Sequence, residues 1–317
     1  MFAKTLFPAV LAAIVLPAFG AEWLTDFEAA KQKAAAEHKP IIMDFTGSDW
    51  CGACMHLHSS IFEKPEFDAF VKDKFILLEI DCPHGDKMPA EEKARNEALV
   101  ESYSVHAFPT VLVLSPKGDV LGGFLGSGFS MEQVQKELQQ GADNLPRLEK
   151  AQALTGPEKL QALGELYKSL NNDARPCATS IEEQIIQNDP QDTLGFAHRR
   201  AVERQRRDIK SRTMRLMQWR DSAQILAAVA ELQPTVMPEN LPLVLELKIT
   251  GNVLAAQSEE DLAKARDSLQ AELDSMPESP QKAEVVNRLK ATFSDIHHLF
   301  LQLKAMRARQ AELDKMR

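Results

Sequence analysis

From Thr25 to about Gln140, short apolar runs alternate with stretches whose apolar residues recur at helical spacing. Thr25-Asp26-Phe27-Glu28 has capping-box spacing and predicts an alanine-rich helix to about Glu37. Pro40 to Phe45 is short and apolar enough for a buried strand, and a helix can follow from Cys51, with Pro65 starting its continuation through Phe67 and Phe70. Phe75–Ile80 reads as a second strand, Ala90–Tyr103 as a helix and Thr110–Leu114 as a third strand. Pro116-Lys117-Gly118-Asp119 is a hairpin turn, Val120–Phe124 the returning strand, and Ser130 with Gln133 the start of a last helix. Helices alternating with buried strands imply a sheet covered on both faces.

Beyond residue 150 the strand signal disappears. Pro157–Leu170, Ile181–Gln187, Thr193–Arg220, Ser222–Leu232, Leu241–Ala256, Glu259–Leu273 and Pro280–Lys315 all read as helices. Ser180 before Glu183, Ser258 before Asp261 and Ser279 before Pro280 mark their starts. In the last helix Val286, Leu289, Phe293, Ile296, Phe300 and Leu303 form a stripe that must be buried, either within a helical domain or as a homodimer seam.

Charge sharpens the division. The chain carries 37 basic and 46 acidic residues, a formal charge of −9, which argues against a general nucleic-acid or polybasic membrane binder. Residues 22–150 hold 13 basic and 22 acidic side chains, residues 151–317 hold 23 and 24, so the acidity lies in the α/β half. The run from His198 to Arg220 is locally basic, but apolar residues interrupt it, and a solvated face or a surface that docks on acidic protein fits it better than nucleic acid. At the other end, Lys4 precedes the uncharged run Leu6–Gly20, and Ala18 and Gly20 place small residues before a cut ahead of Ala21. Residues 1–20 therefore read as a secretory leader, with an uncleaved anchor as the alternative. The expected division is a leader over 1–20, an α/β domain over 21–145 and an all-α domain over 146–317.

The most specific feature is Asp49-Trp50-Cys51-Gly52-Ala53-Cys54, directly after a strand and at a helix start. Tetrahedral zinc needs four ligands and there is no second CxxC, so no metal is expected, and nothing in the sequence calls for a cofactor. Two cysteines at this spacing can bond to each other, and the free N–H groups and dipole of a helix start favour a thiolate at the first. Cys51 is accordingly the expected nucleophile and Cys54, one turn inside, the resolving thiol.

The stretch from about Trp23 to Gln140 resembles a thioredoxin domain, and Thr46-Gly47-Ser48-Asp49-Trp50-Cys51 is similar to exported bacterial thioredoxin-like proteins with a TGSDWC active site. The resemblance includes Phe108-Pro109-Thr110 and implies a mixed central sheet, a cis Pro109 against the active disulfide and a substrate surface formed by Trp50, Phe108 and Thr110. It also matches Asp44 to a buried acid that takes the proton of Cys54, although one extra residue between Asp44 and Cys51 leaves a purely structural acid as the alternative. Either Gly122 or Gly126 can fill the glycine position beside the groove. His56 and His58 lie just past the motif, with His58 four residues after Cys54, and the plain reading of both is solvated helix histidines.

Cys82 follows the second strand and Cys177 lies in a linker; they are a second disulfide, a third redox thiol with a bystander, or two inert thiols. The function implied is an exported thiol–disulfide oxidoreductase that reduces or isomerises disulfides of exported proteins or peptides with a redox partner the sequence does not identify. The alternative is a redox-linked scaffold whose helical domain captures a partner. The inner dipeptide Gly52-Ala53 lacks the histidine of strong oxidants, which implies an intermediate or reducing potential.

Overall fold

The computed structural model describes residues 22–85 and 87–315, so the leader expected over 1–20 lies outside the described residues. The chain forms two compact units that meet in sequence at Leu194 and Gly195.

The first unit is built on five strands: β1 (Trp23–Leu24), β2 (Ile41–Thr46), β3 (Ile76–Asp81), β4 (Thr110–Leu114) and β5 (Val120–Leu125). Their spatial order is β1-β3-β2-β4-β5, with β1, β3 and β2 parallel and β4 antiparallel to both its neighbours. β2 is buried at every position, as a central strand covered on both faces must be, yet its sequence IIMDFT includes the ionisable Asp44. The helices are α1 (Phe27–Glu37), α2 (Gly52–Leu57), α3 (Pro65–Val71), α4 (Ala90–Ser102) and α5 (Met131–Asp143), and a π turn over His58–Phe62 links α2 to α3. α5 begins with the expected capping box of Ser130 and Gln133 and lies close over the sheet. Its Gly141 is a packing requirement, because a Cβ there would meet the Val113 side chain at 2.6 Å.

Three more helices complete this unit: α6 (Leu145–Ala153), which periodicity did not single out, α7 (Gly156–Ser169) and α8 (Thr179–Asn188). The change to all-α character expected at 145/146 therefore falls inside the unit. The cause is packing: Leu170, Ala174, Cys177 and Ala178 share one apolar core with Ile41, Met43, Phe45 and Leu112 of the sheet. Polar anchors act with it. Asn171 donates to Gly123 O at 2.6 Å, and Gln184 Nε2 donates to Asp119 in the β4–β5 hairpin at 3.0 Å. Ser180, expected as a helix cap, instead gives its hydroxyl to Asp119, and α8 starts at Thr179, two residues before the expected Ile181.

The second unit is helical: α9 (Phe196–Trp219), α10 (Ser222–Leu232), α11 (Leu241–Ala255), α12 (Glu259–Asp274), α13 (Pro280–Thr292) and α14 (Ile296–Lys315). Ser258 and Ser279 cap α12 and α13 as the sequence predicts. The single last helix expected over 280–315 is two. Phe293–Asp295 interrupts it, and the Asp295 carboxylate accepts the His298 N–H at 2.9 Å to start α14. The apolar stripe packs inside the unit: Leu289, Phe293, Phe300 and Leu303 are buried, with Val286 and Ile296 against them, in a core shared with Ile249, Leu262 and Leu269. Four of the six are covered within the unit itself, and the other two are partly buried against them. The basic α9 buries Val202 and Ile209 while its Arg206 pairs with Glu203 and Arg212 with Glu231.

Among the described residues no helix is long and apolar enough to cross a membrane.

Candidate active site

β2 delivers the chain to the CxxC at one end of the sheet. Cys51 is the N-cap of α2, with extended backbone, and its Sγ accepts the Cys54 N–H at 3.2 Å. Cys51 and Cys54 form a disulfide. Cys51 keeps 6% of its surface exposed and Cys54 none, so only the first sulfur is open to attack. A thiolate at Cys51 would meet an aligned N–H and the positive end of the helix, the arrangement that lowers a thiol pKa.

In the loop between β2 and Cys51, Ser48, Asp49 and Trp50 each hold a partner. Ser48 donates from its N–H at 2.9 Å and its hydroxyl at 2.6 Å to the Asp81 carboxylate at the end of β3. Asp49 accepts the His84 N–H at 3.0 Å and pairs with Lys87 at 2.5 Å, and these partners, Lys87 first, hold its carboxyl below the usual range. The Trp50 indole N–H donates to Cys82 O at 2.8 Å, and the ring stacks on His84 and meets Phe108 edge-on at 5.5 Å. Trp50 remains 40% exposed beside Cys51. The pattern TGSDWC thus ties the cysteine loop to the loop after β3 while leaving a flat apolar surface open.

The turn before β4 meets the cysteine loop where Phe108 touches Trp50. The Phe108–Pro109 peptide bond is cis, Pro109 and Thr110 are buried and Phe108 is half-buried. Thr110 donates its hydroxyl to Ala107 O at 2.8 Å, which ties it back into the turn. Of the two candidate glycines, Gly126 is the one at this turn: its N–H donates to Pro109 O at 2.9 Å and its φ is +96°. Gly122 instead packs under Gly141 of α5. Leu125, next to Gly126, is exposed, as is Met55 on α2.

Beneath the helix lies a cluster that the sequence disclosed only in part. Asp44 is fully buried, and its Oδ2 is 2.8 Å from Nε2 of His58. Its Oδ1 has no hydrogen-bond partner. The register places Glu79 of β3 directly opposite Asp44, and Glu79 Oε2 is 3.9 Å from the same imidazole nitrogen. Burial pushes the Asp44 carboxyl up against the opposing pull of His58, burial likewise raises Glu79, and the Asp44 hydrogen bond raises His58. The 2.8 Å contact between Asp44 Oδ2 and His58 Nε2 has the length of a hydrogen bond between acid and imidazole. His58 was legible as a neighbour of Cys54 by its spacing; its bond to Asp44 was not. His56, its companion in sequence, is exposed.

Cys82 and Cys177 are both free thiols, so the expected alternative of a second disulfide is not formed. Cys82 follows β3 at the CxxC end, where its N–H donates to Thr46 O. Cys177 precedes α8, which is anchored to the β4–β5 hairpin at the far end of the strands, because Ile41 pairs with Leu114 and Phe45 with Thr110. Burial pushes each thiol up to about 11, which leaves little thiolate at neutral pH and makes a third redox role unfavourable.

Comparison with known proteins agrees with this geometry. Residues 27–142 match the thioredoxin-like domain family. A disulfide bond reductase, DsbH, of Chlamydia pneumoniae is 33% identical over 92 residues, which is 29% of this chain and 55% of that protein. The thioredoxin-related protein DsbJ of the same organism is 30% identical over 93 residues, 29% of this chain and 27% of that one. The chain therefore spans about half or less of the length of these relatives. Among solved structures, a DsbH oxidoreductase aligns over 44% of this chain and 95% of its own at 26% identity and a TM-score of 0.35. Residues 27–142 are a thioredoxin-like domain with a disulfide-forming cysteine pair, related to DsbH and DsbJ.

Proposed function

We propose that the protein is an exported thiol–disulfide oxidoreductase that reduces or isomerises disulfides of exported proteins or peptides through Cys51 and Cys54. The observation that carries this reading is the Cys51 sulfur at the helix N-cap, accepting the Cys54 N–H, with Cys54 sealed behind it. In the reduced protein Cys51 attacks a substrate disulfide, releases one substrate thiolate and holds the other half as a mixed disulfide. Cys54 loses its proton, taken by Asp44 in this reading, attacks Cys51 and releases the second thiolate. The Cys51–Cys54 disulfide re-forms, two electrons pass to the substrate, and a separate dithiol donor must reduce the pair again.

Trp50, Phe108 and Leu125, beside the buried Pro109, supply the apolar rim that an extended peptide would lie on. The exported setting rests on the uncharged run before Ala21 and on the relation to the Dsb proteins. A homodimer through the C-terminal helix is not part of this reading, since the stripe that suggested it is buried within the unit.

Insulin reduction with a dithiol donor tests the activity. Wild-type protein should accelerate it, Cys51→Ser should abolish the acceleration, and Cys54→Ala should accumulate a mixed disulfide. Equilibration with glutathione should place the couple nearer about −270 mV than about −120 mV, because no histidine lies between the cysteines. A potential above about −150 mV would replace reduction by oxidation as the activity.

A further inference from the structure

A proton handed to Asp44 is delivered to a group with no surface of its own. Resting on the disulfide-exchange reading above, we propose that His58 is the proton exit of the reaction, a positioning residue that carries the Cys54 proton between Asp44 and the cleft beside Glu79.

Four observations converge on it. The His58 backbone N–H donates to Cys54 O, so one helical turn puts the imidazole on the face of α2 that carries Cys54. Its Nε2 is the hydrogen-bonding partner of the Asp44 carboxylate, whose other oxygen has none. The His58 side chain is itself 25% exposed and borders a cleft of about 240 Å³ with Thr46, Ser48, Met55, Glu63 and Glu79. The ring is also held in place, edge-on to Phe62 at 5.2 Å and stacked near Trp23 at 6.3 Å. On the other side of Asp44 the register puts Val111 of β4, which offers a proton no route.

The charged and titratable groups around the ring are Asp44 from β2, Glu79 from β3, Glu63 after the π turn and Cys54 from α2, with Asp81 acting on both carboxylates. Trp23 and Phe62 add no charge. During resolution the Cys54 thiol gives its proton to Asp44 while its sulfur displaces the substrate sulfur from Cys51. Nε2 then takes the proton from Asp44, and the second ring nitrogen releases one to water. The leaving substrate thiolate draws its proton from solvent, and His58 carries no electrons.

The test uses the full-length reduced protein and a chromogenic aromatic disulfide, 5,5′-dithiobis(2-nitrobenzoate). Cys51 attack releases a first coloured thiolate and Cys54 resolution a second, so stopped-flow absorbance separates the two steps. His58→Gln keeps a side chain able to hydrogen-bond Asp44 but unable to pass a proton. It should leave the first phase unchanged and slow the second by about tenfold or more, less than the roughly hundredfold of a group that transfers a proton directly at the reacting atom, because Asp44 remains. The pH profile of the second phase should change, and added imidazole should restore its rate. An unchanged second phase, or a slowed one that keeps the wild-type pH profile and ignores imidazole, overturns the proposal. Wild-type protein without a Cys51-dependent first phase would instead remove the underlying disulfide-exchange reading. If His58→Gln fails to fold, NMR titration of His58 in wild-type protein decides. The imidazole pKa should differ between oxidised and reduced states if it is coupled to the Cys54 proton, and an identical value in both overturns the coupling.

Discussion

Gly47 has no side chain because the Trp50 indole lies where its Cβ would be. Gly47→Ala should therefore push the indole off His84 and Phe108, shift tryptophan emission and reduce disulfide-exchange rates several-fold, while leaving β2 intact. Unchanged emission and rates would mean the ring does not shape the substrate surface. A second consequence at this scale concerns pH. His58 holds its proton more tightly in the folded chain than in the unfolded one, because Asp44 accepts its hydrogen bond. The resulting stability is fully present below about pH 6.5, the unfolded histidine value, and is lost as pH rises through the raised folded value. Asp44, also raised, has the same sign, since the folded state keeps that proton longer too. Denaturant melts of wild type against His58→Gln should show a difference of about 1.5–3 kcal/mol near pH 6, the range for a hydrogen bond to a charged group, that closes toward alkaline pH. A difference that widens with pH would reverse the assigned direction.

Single elements are held less by their own propensity than by a few polar anchors. Asp119, in the turn between β4 and β5, accepts from Ser115, Ser180, Gln184 and the more distant Gln152, so one buried carboxylate joins the hairpin to α6 and α8. Asp119→Ala removes the acceptor these donors share and should cost about 2–4 kcal/mol, with hydrogen exchange in α8 rising before exchange in β2. Equal protection of α8 in wild type and variant would show that apolar packing alone holds it. The same element shows why sequence reading ran short here. Ser180 stands in a good capping position before Glu183, and only the tertiary partner Asp119 redirects its hydroxyl. The continuous stripe from Val286 to Leu303 hid the break at Phe293–Asp295, because a change of helix direction can preserve burial of every apolar residue on both sides.

At the scale of the molecule, what could be read from sequence was what local spacing determines. The CxxC at a helix start, the strand before it and the proline turn follow from short-range pattern and family likeness, and they delimit the redox site. Asp44 with His58 and Glu79 needed the β2–β3 register, a non-local fact, and so did the separation of Cys82 from Cys177. The extent of the first unit was hidden for the same reason. Composition turns all-helical near residue 146, but Leu170, Ala174, Cys177 and Ala178 complete the apolar layer on the sheet that contains Ile41, Met43 and Phe45. We expect a protein of residues 22–194 to fold cooperatively and retain disulfide exchange. A protein of residues 22–145, the thioredoxin-like domain as the sequence divides it, exposes that layer and also leaves Asp119 without Ser180 and Gln184. Removing four buried apolar contacts and these anchors should lower its stability by several kcal/mol, enough to bring a marginal domain near unfolding. Calorimetry of the two fragments decides the matter. Equal melting temperatures would make residues 146–194 an appendage to a self-sufficient redox domain, whereas a large loss confined to the shorter fragment makes α6 to α8 part of its fold.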